Sequence, residues 1–247
     1  MELNATNSVL ALVGLAAVLF AIHLMRRLSK VERKEDCLIK GQDALIAKVE
    51  LLEKKLSTDA LTLAMTRGPG TERLIAELER AKRHNSNSNN RDVLTVGVIM
   101  FDLDHFKQKN DDYGHLAGDA VLEQVIGLLL KNKRKSDFII RWGGEEFVII
   151  FPEVTADDLL DIAKKLRKLV AEFTVQYEGL AIKVTISVGV TTTDGTEPLE
   201  VVILRADKAL YKAKGPKGST EGRNRVMYDF AVNGCGEPAL AVEKMLA

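Results

Sequence analysis

The sequence predicts an α+β domain, a mixed or antiparallel sheet with flanking helices, preceded by one membrane-spanning helix and a short coiled coil. Three observations predict this architecture. Short apolar runs alternate with segments of helical periodicity between residues 59 and 228. Two of the apolar runs are separated by a short segment with two glycines, which is the pattern of a β-hairpin. An uncharged segment and then a charged, helix-favouring segment come before all of them.

The first segment, residues 1–25, contains an uncharged run that begins at Val9 and is at the short end of what crosses a bilayer as a helix. Arg26, Arg27 and Lys30 follow this run, and no Lys or Arg precedes it. Because cytoplasmic flanks of membrane helices are enriched in Lys and Arg, we expect a single-pass anchor in membrane lipid with its N-terminus outside. A cleaved signal peptide is the alternative, but it has positive charges in front and a small-residue cleavage site behind, and both are missing.

The second segment, residues 26–58, is charged and favours a helix. Positions that step alternately by three and four from Leu28 are apolar in seven of nine cases, and Leu38, Leu45 and Leu52 share one heptad position. This spacing predicts a short parallel coiled coil and therefore a homodimer. A single amphipathic helix lying on the domain or on the membrane is the alternative.

The third segment, residues 59–228, carries the α+β pattern, and the tail over 229–247 has no pattern that we can interpret. Periodicity predicts helices over 71–83, 116–131, 156–173 and 199–214, strands over 94–101, 138–142, 147–151, 182–192 and 225–228, and a polar loop over 84–90. Strands and helices alternate, but a hairpin interrupts them. This order predicts the ferredoxin-like palm arrangement, with the helices packed on one face of the sheet.

Two aspartates follow the predicted strand that ends at Phe101. Alternation places Asp102 and Asp104 on one side of the strand and Leu103 on the other. A carboxylate at a strand end suits Mg²⁺, which prefers oxygen ligands. A solvated acid in a surface turn is the alternative for this pattern.

The predicted hairpin tip carries two glycines and then two acids. Gly143 and Gly144 allow a tight turn and leave room for a ligand near the backbone. Glu145 and Glu146 repel each other and are best accommodated near a cation, although a solvated tip is the alternative. If the hairpin lies beside the strand that ends before Asp102, the carboxylates converge as in a two-metal nucleotidyl-transfer site.

Three stretches of the chain together resemble one known family, the GGDEF family of diguanylate cyclases, over roughly residues 57–228. They read FDLDHFKQKNDDYGHLAGDAVL, RWGGEEF, and ADKALYKAK followed by GRNRV. The resemblance implies a palm fold of the nucleotidyl cyclase type in a bacterial protein. Together with the Lys and Arg that follow the uncharged run, it leads us to expect an anchor in the inner membrane and a catalytic domain in the cytoplasm. It implies condensation of two GTP into cyclic di-GMP and pyrophosphate, with one GTP held by each of two facing domains.

The resemblance also assigns roles to residues. It implies that Asp102, the Leu103 carbonyl and Glu145 bind Mg²⁺, with Mn²⁺ as the alternative ion, and that Glu146 helps in metal binding or in activating the 3′-hydroxyl. Positions that the family uses to bind GTP are occupied here by Asn110 and Asp119 for guanine, and by Phe106, Lys107, Gly143, Gly144, Lys214 and Arg223 around the phosphates.

A second motif of the family precedes the hairpin. Arg134 and Asp137 match its RxxD site, at which arginine suits a phosphate or the Hoogsteen edge of guanine. The match implies product inhibition by cyclic di-GMP. A coincidental pair of charges at a helix end is the alternative.

Two stretches depart from the family pattern. DALT at 59–62 is kept, but LAMTR follows it and only Arg67 matches. GPKGSTE at 215–221 contains five extra residues, so either Arg223 is displaced or Lys217 replaces one of its contacts. These departures leave open a catalytically inactive receptor for cyclic di-GMP or GTP.

Composition and cysteine spacing narrow the remaining classes of function. The chain carries 35 basic and 35 acidic residues, so no global field favours nucleic acid. Cys37 and Cys235 have neither metal-ligand spacing nor the pattern of a disulfide framework. A cyclase that uses another nucleotide is a third reading of the family resemblance, but Asp119 disfavours adenine.

Overall fold

A computed structural model of the protein describes residues 57–87, 93–216 and 222–230, together with helical residues 25, 27, 29–30, 39–40, 42, 46 and 48. The chain divides into two compact units, Met1–Lys55 and Leu56–Ala247. The predicted anchor apart from Met25, most of the predicted coiled coil and the tail beyond Phe230 lie outside the described residues. Within the described ranges, no helix combines the length and the apolar character that crossing a bilayer requires.

The second unit contains the predicted alternation of strands and helices. Its elements are β1 (Met65–Thr66), α1 (Arg67–Asn87), β2 (Val96–Leu103), α2 (Phe106–Tyr113), α3 (His115–Asn132), β3 (Phe138–Arg141), β4 (Glu146–Pro152), α4 (Ala156–Glu172), β5 (Val175–Tyr177), β6 (Leu180–Ile182), β7 (Ile186–Thr193), α5 (Leu199–Lys214) and β8 (Val226–Tyr228).

The main sheet is mixed, as the sequence predicts. Its strand order is β1-β3-β4-β2-β7-β8. The inner strands β3, β4, β2 and β7 pair antiparallel, while β1 and β8 pair parallel at the two edges. The inner order is that of a ferredoxin-like βαββαβ unit, and the palm prediction is therefore confirmed. Strands β5 and β6 form a separate two-stranded sheet.

Helices cover both faces of the sheet, so the prediction that they pack on one face is wrong. Helices α3 and α4 pack on one face, where β2 contributes Ile99 and Phe101. Helices α1 and α5 pack on the other face, where β2 contributes Val98 and Met100. Every residue of β2 is buried, because helices cover both faces of this central strand, and its first six residues, Val96–Phe101, are all apolar. The unbroken run VGVIMF carries this signal in the sequence.

Three local predictions also differ from the structure. Helix α2 is absent from the prediction, because FKQKNDDY buries only Phe106 and so lacks an apolar stripe. The strand predicted over 182–192 is divided into β6 and β7. Helix α1 continues through Asn87 into the predicted loop, since Asn85 exchanges hydrogen bonds of 2.8 and 2.9 Å with the backbone of Leu94 and donates to the Asp194 carbonyl.

Helix α5 lies unusually close to β7. A Cβ atom added to Gly189 would stand 2.2 Å from the Ala206 carbonyl oxygen and 2.3 Å from the Leu210 nitrogen. Glycine is therefore required for this approach of backbone to backbone. The close packing places the C-terminal end of α5, including Lys214, beside the end of β2.

Candidate active site

The GGEE hairpin lies beside the end of β2, which is the condition for its carboxylates to approach Asp102. The register of β2 and β4 pairs Asp102 directly with Glu146. The Leu103 amide donates to the Glu145 carbonyl at 3.4 Å. The amides of Trp142 and Gly143 both donate to the Glu146 carbonyl, at 2.8 and 3.1 Å, and close the turn. The backbone thus presents both glutamates next to the strand end.

The site carries more negative than positive charge. Asp102 is only 6% exposed, and the Lys214 Nζ lies 2.8 Å from its Oδ2. Burial raises the pKa of Asp102, Lys214 lowers it in part, and the charges of Glu146 and Asp104 raise it further. Burial and the Asp102 charge likewise raise the pKa of Glu145. Such carboxylates gain most from an additional cation.

The donor chemistry fits a divalent cation, although the carboxylates do not form a closed cage. Among the residues that the structure describes, no three His, Cys, Asp or Glu side chains converge closely enough to hold a metal ion as a group. The Lys214 ammonium stands in as the cation at Asp102. Mg²⁺ typically takes one or two carboxylates and completes its shell with phosphate oxygens and water, which suits an open arrangement of this kind.

The two residues expected to read guanine lie at the junction of α2 and α3. Asn110 packs against Gly118, where an added Cβ atom would stand 1.7 Å from the Asn110 Oδ1 and 3.3 Å from the ring of Phe106. Asp119 follows Gly118 and is exposed. The structure therefore places Asn110 beside the residue that precedes Asp119.

The residues expected near the phosphates occupy different surroundings. Phe106 is buried at the start of α2, whereas the next residue, Lys107, is exposed. An added Cβ atom at Gly143 would stand 2.9 Å from the Glu146 Oε2, while Gly144 has open space around it. Gly144 therefore leaves the tip of the hairpin accessible to a ligand.

Arg141 connects the hairpin to the start of the domain, a role that the sequence interpretation missed. Its Nη2 and Nε donate to the Gly144 carbonyl at 2.9 and 3.3 Å, and its Nη1 contacts both carboxylate oxygens of Asp59 at 2.9 and 3.0 Å. Burial raises the pKa of Asp59, but hydrogen bonds from Thr62 and Arg141 outweigh it, so that the net shift is downward. The sequence held a signal that these two residues matter, because Asp59 and Arg141 belong to the motifs DALT and RWGGEEF.

Arg223 stays near the site despite the insertion that precedes it. Its Nε lies 4.0 Å from the Oδ1 of Asp104, and its backbone amide donates to the Ala213 carbonyl at 2.9 Å. The structure therefore places Arg223 beside Asp104, at the end of β2. Lys217 lies outside the described residues.

The RxxD pair lies at the opposite end of β3 from the hairpin. The Asp137 carboxylate is buried and accepts hydrogen bonds from the Arg134 amide at 2.8 Å and the Ser136 hydroxyl at 3.1 Å. The Arg134 side chain is exposed. Arg73, which the sequence interpretation did not single out, lies over the Phe138 ring at 4.1 Å and donates to the Ser136 carbonyl.

Arg67 borders a groove beside Glu146. Its guanidinium lies 4.2 Å from the centre of the Trp142 ring. The groove has a volume of about 570 Å³ and continues along α5 past Leu199 and Ile203. The one family-like residue of LAMTR therefore supports the base of the hairpin through a cation–π contact.

Comparison with known proteins assigns the described domain to a family. Residues 57–220 match the family described as "GGDEF: Diguanylate cyclase, GGDEF domain". The chain is 38% identical over 191 residues to diguanylate cyclase DgcP of Pseudomonas aeruginosa. This alignment covers 77% of this chain and 26% of that protein. It is 40% identical over 141 residues to diguanylate cyclase A of Treponema denticola, covering 57% of this chain and 37% of that one. The chain thus spans well under half of these relatives.

Solved structures give the same fold. The coiled coil and GGDEF domain of DgcB from Caulobacter crescentus, in complex with c-di-GMP, match with a TM-score of 0.67 at 26% identity, covering 80% of this chain and 98% of that one. The diguanylate cyclase SiaD of Pseudomonas aeruginosa, in complex with its activator SiaC, matches with a TM-score of 0.63 at 31% identity, covering 91% of this chain and 80% of that one.

Proposed function

Because the chain belongs to the GGDEF family of diguanylate cyclases, we propose that it condenses two GTP molecules into cyclic di-GMP and pyrophosphate. The observation that carries this proposal is the pairing of Asp102 with Glu146 at the end of β2, with Glu145 and Lys214 beside them. This arrangement places an excess of negative charge next to an open, glycine-lined hairpin. It suits the binding of a metal-bound nucleoside triphosphate.

In the proposed reaction, the 3′-hydroxyl of each GTP attacks the α-phosphate of the other, and one pyrophosphate leaves at each of the two bonds. Asn110 and Asp119 hold guanine, for which a carboxylate can accept both donors of the Watson–Crick edge. Lys107, Lys214 and Arg223 supply positive charge to the phosphates. A divalent cation, Mg²⁺ or Mn²⁺, bound by Asp102, Glu145 and the Leu103 carbonyl would lower the pKa of the hydroxyl and neutralise phosphate charge.

The decisive experiment compares the parent chain with Glu145→Gln in the presence of GTP and Mg²⁺, with cyclic di-GMP measured by chromatography. We expect product from the parent and a loss of at least about 100-fold in the variant, as for other electrostatic contributors to catalysis. Glu153→Gln, the same change at the far end of β4, is the control and should leave the rate unchanged. If a folded, dimeric parent makes no product but binds cyclic di-GMP, the receptor alternative replaces the proposal.

We also propose product inhibition through the RxxD pair. The exposed Arg134 lies beside the buried Asp137, at the end of β3 remote from the hairpin, so that a second ligand there would not occupy the active site. Added cyclic di-GMP should lower the initial rate of the parent and not that of Arg134→Ala. Equal inhibition of both proteins would refute the assignment.

We also propose that the chain has a membrane-spanning anchor and forms a dimer. The uncharged run over residues 9–25 and the basic residues after it support a single pass through a bacterial inner membrane. The heptad pattern over residues 26–58 supports a parallel homodimer. Detergent should release the full chain from membranes, whereas release by high salt alone would exclude an anchor.

A further inference from the structure

We propose that Asp104 is a positioning residue that holds Arg223 beside the nucleotide phosphates, and not a ligand of the metal ion. This inference rests on the proposed function, because it assigns a role within the same site. Asp104 lies two residues after Asp102 at the end of β2, and a carboxylate there has two possible uses. It can bind the metal ion, or it can hold another part of the protein in place, and the groups that face its oxygens distinguish the two.

Both carboxylate oxygens of Asp104 are directed at donors of the protein. The residue is only 3% exposed. Its Oδ1 accepts a hydrogen bond from the Ser187 hydroxyl at 2.6 Å. Its Oδ2 accepts hydrogen bonds from the Thr185 hydroxyl at 2.6 Å and from the Asn224 amide at 2.8 Å. A buried carboxylate with three short hydrogen bonds is a structural anchor, because breaking them leaves buried donors unpaired.

The anchored segment is the return of the chain after the GPKGSTE insertion. The Arg223 amide donates to the Ala213 carbonyl at 2.9 Å, and an added Cβ atom at Gly222 would stand 2.4 Å from the Lys214 carbonyl oxygen. Arg223 and Asn224 both adopt left-handed backbone conformations, with φ of 65° and 46°. Non-glycine residues keep this conformation only where their surroundings impose it. The hydrogen bond from Asn224 to Asp104 is such a constraint.

The two aspartates face the two cations that flank the insertion. Asp102 contacts Lys214 at 2.8 Å, and Asp104 lies 4.0 Å from the Nε of Arg223. The side chain of Arg223 keeps 32% of its surface exposed, while that of Asp104 keeps 1%. The backbone of Arg223 is therefore held in place, while its side chain remains accessible to a ligand. The contacts of Asp104 with Arg223 and Asn224 join residues on either side of the insertion, which explains how the chain returns to the site after five extra residues.

The test is a double-mutant cycle in the full chain, with KM and kcat for GTP measured for Asp104→Asn, Arg223→Ala and the combination. We expect each single change to raise KM about tenfold with kcat altered less than about threefold, as for the loss of one charge-assisted hydrogen bond. The combination should exceed the larger single effect by less than about threefold, since Asp104 acts through Arg223. Multiplied effects would show that the two residues act independently and would overturn the inference.

Metal affinity distinguishes a role of Asp104 as a metal ligand from its proposed role as a positioning residue. With a non-hydrolysable GTP analogue at saturation, Asp104→Asn should bind Mn²⁺ as the parent does, whereas Asp102→Asn should bind it at least about tenfold more weakly. A comparable loss in Asp104→Asn would make Asp104 a metal ligand and refute the proposal.

Amide hydrogen exchange tests the hydrogen bond from the Asn224 amide to Asp104, even if the parent makes no cyclic di-GMP. Failure of the proposed function and failure of this inference are therefore distinguishable. Asp104→Asn should accelerate exchange at Asn224 about tenfold or more. Asp194→Asn, at the other end of β7, is the control and should leave it unchanged. If Asp104→Asn does not fold, Thr185→Val removes one partner of the same oxygen and should act in the same direction. Unchanged exchange at Asn224 in a folded variant would show that Asp104 does not hold this segment and would contradict the inference.

Discussion

Individual glycines decide the geometry of this site as much as the charged side chains do. Gly118 leaves the space that the Asn110 amide occupies, and Gly143 leaves the space beside the Glu146 carboxylate. Neither position tolerates a Cβ atom without displacing a neighbour. The carboxylates in turn carry raised pKa values at Asp102 and Glu145, because they are buried beside one another. Small side chains thus make room for the reactive ones.

Gly118→Ala should weaken the binding of GTP without unfolding the domain. The added methyl group would displace the Asn110 side chain, whose amide is the proposed contact to guanine. We expect KM for GTP to rise about tenfold, the equivalent of one lost hydrogen bond of about 1.4 kcal/mol, with kcat little changed. Steady-state kinetics measure this split.

Gly127→Ala is the matched control, because it lies on the same helix α3 and an added Cβ atom meets nothing within 4 Å. It should leave KM unchanged and stabilise the helix by up to about 1 kcal/mol. An unchanged KM in Gly118→Ala would show that Asn110 does not contact the base.

Pairs of elements, and not single elements, build the site. The β3–β4 hairpin presents the two glutamates only because β4 pairs with β2 in a register that sets Glu146 opposite Asp102. Arg141 at the end of β3 links that hairpin to Asp59, which stands directly after the predicted coiled coil. One guanidinium group therefore bridges the beginning of the domain and the hairpin.

Asp59→Asn should lower the stability of the domain at neutral pH and have less effect in acid. The pKa of Asp59 is depressed in the folded state, so its contribution is complete above its unfolded value of about 4 and is lost as the pH falls through the folded value. We expect a loss of about 1–2 kcal/mol at pH 7, which corresponds to a fall in Tm of about 2–8 °C.

Thermal unfolding at pH 7 and at about pH 3 measures this difference. Asp161→Asn, an exposed aspartate on α4, is the control and should behave as the parent at both values. A loss of stability in Asp59→Asn that is the same at both pH values would show that the ionised carboxylate contributes nothing.

For the molecule as a whole, the proposed reaction demands two domains. Each domain offers one proposed GTP site, and cyclic di-GMP requires two phosphodiester bonds formed between two nucleotides. A parallel coiled coil would hold two copies with two-fold symmetry and at high effective concentration. The family match of residues 57–220 begins at the end of the predicted coiled coil and overlaps it by two residues, so the proposed dimerising segment and the proposed catalytic segment are largely separate parts of the chain.

A protein that begins at Ser57 should therefore lose activity on dilution. Its specific activity should rise in proportion to protein concentration in the micromolar range, whereas that of the full chain in detergent should stay constant. Cyclic di-GMP formation over a dilution series measures the difference. An unrelated parallel coiled coil fused at Ser57 is the control and should restore the constant value, and a constant value in its absence would contradict the dimer.

The sequence was sufficient for most of the local elements, including the strand end and the hairpin that carry the candidate site residues. Helix α5 spans Leu199–Lys214 as predicted, and the strand end at Asp102 and the hairpin at 143–146 are recognisable from apolar periodicity, glycines and acids. These features are local, since they depend on residues within a few positions of one another. A short helix such as α2, with one buried side chain, carries too little periodicity to be predicted.

The tertiary structure alone decided which side chains meet and which face of the sheet each helix covers. Asp59 and Arg141 are 82 residues apart in the chain, and Asp104 and Asn224 are 120 apart. Helices cover both faces of β2 and every residue of that strand is buried, but its apolar run from Val96 to Phe101 fits more than one arrangement of helices. The reason is physical: periodicity records whether a side chain faces the core, whereas its partner there is set by the packing of distant elements.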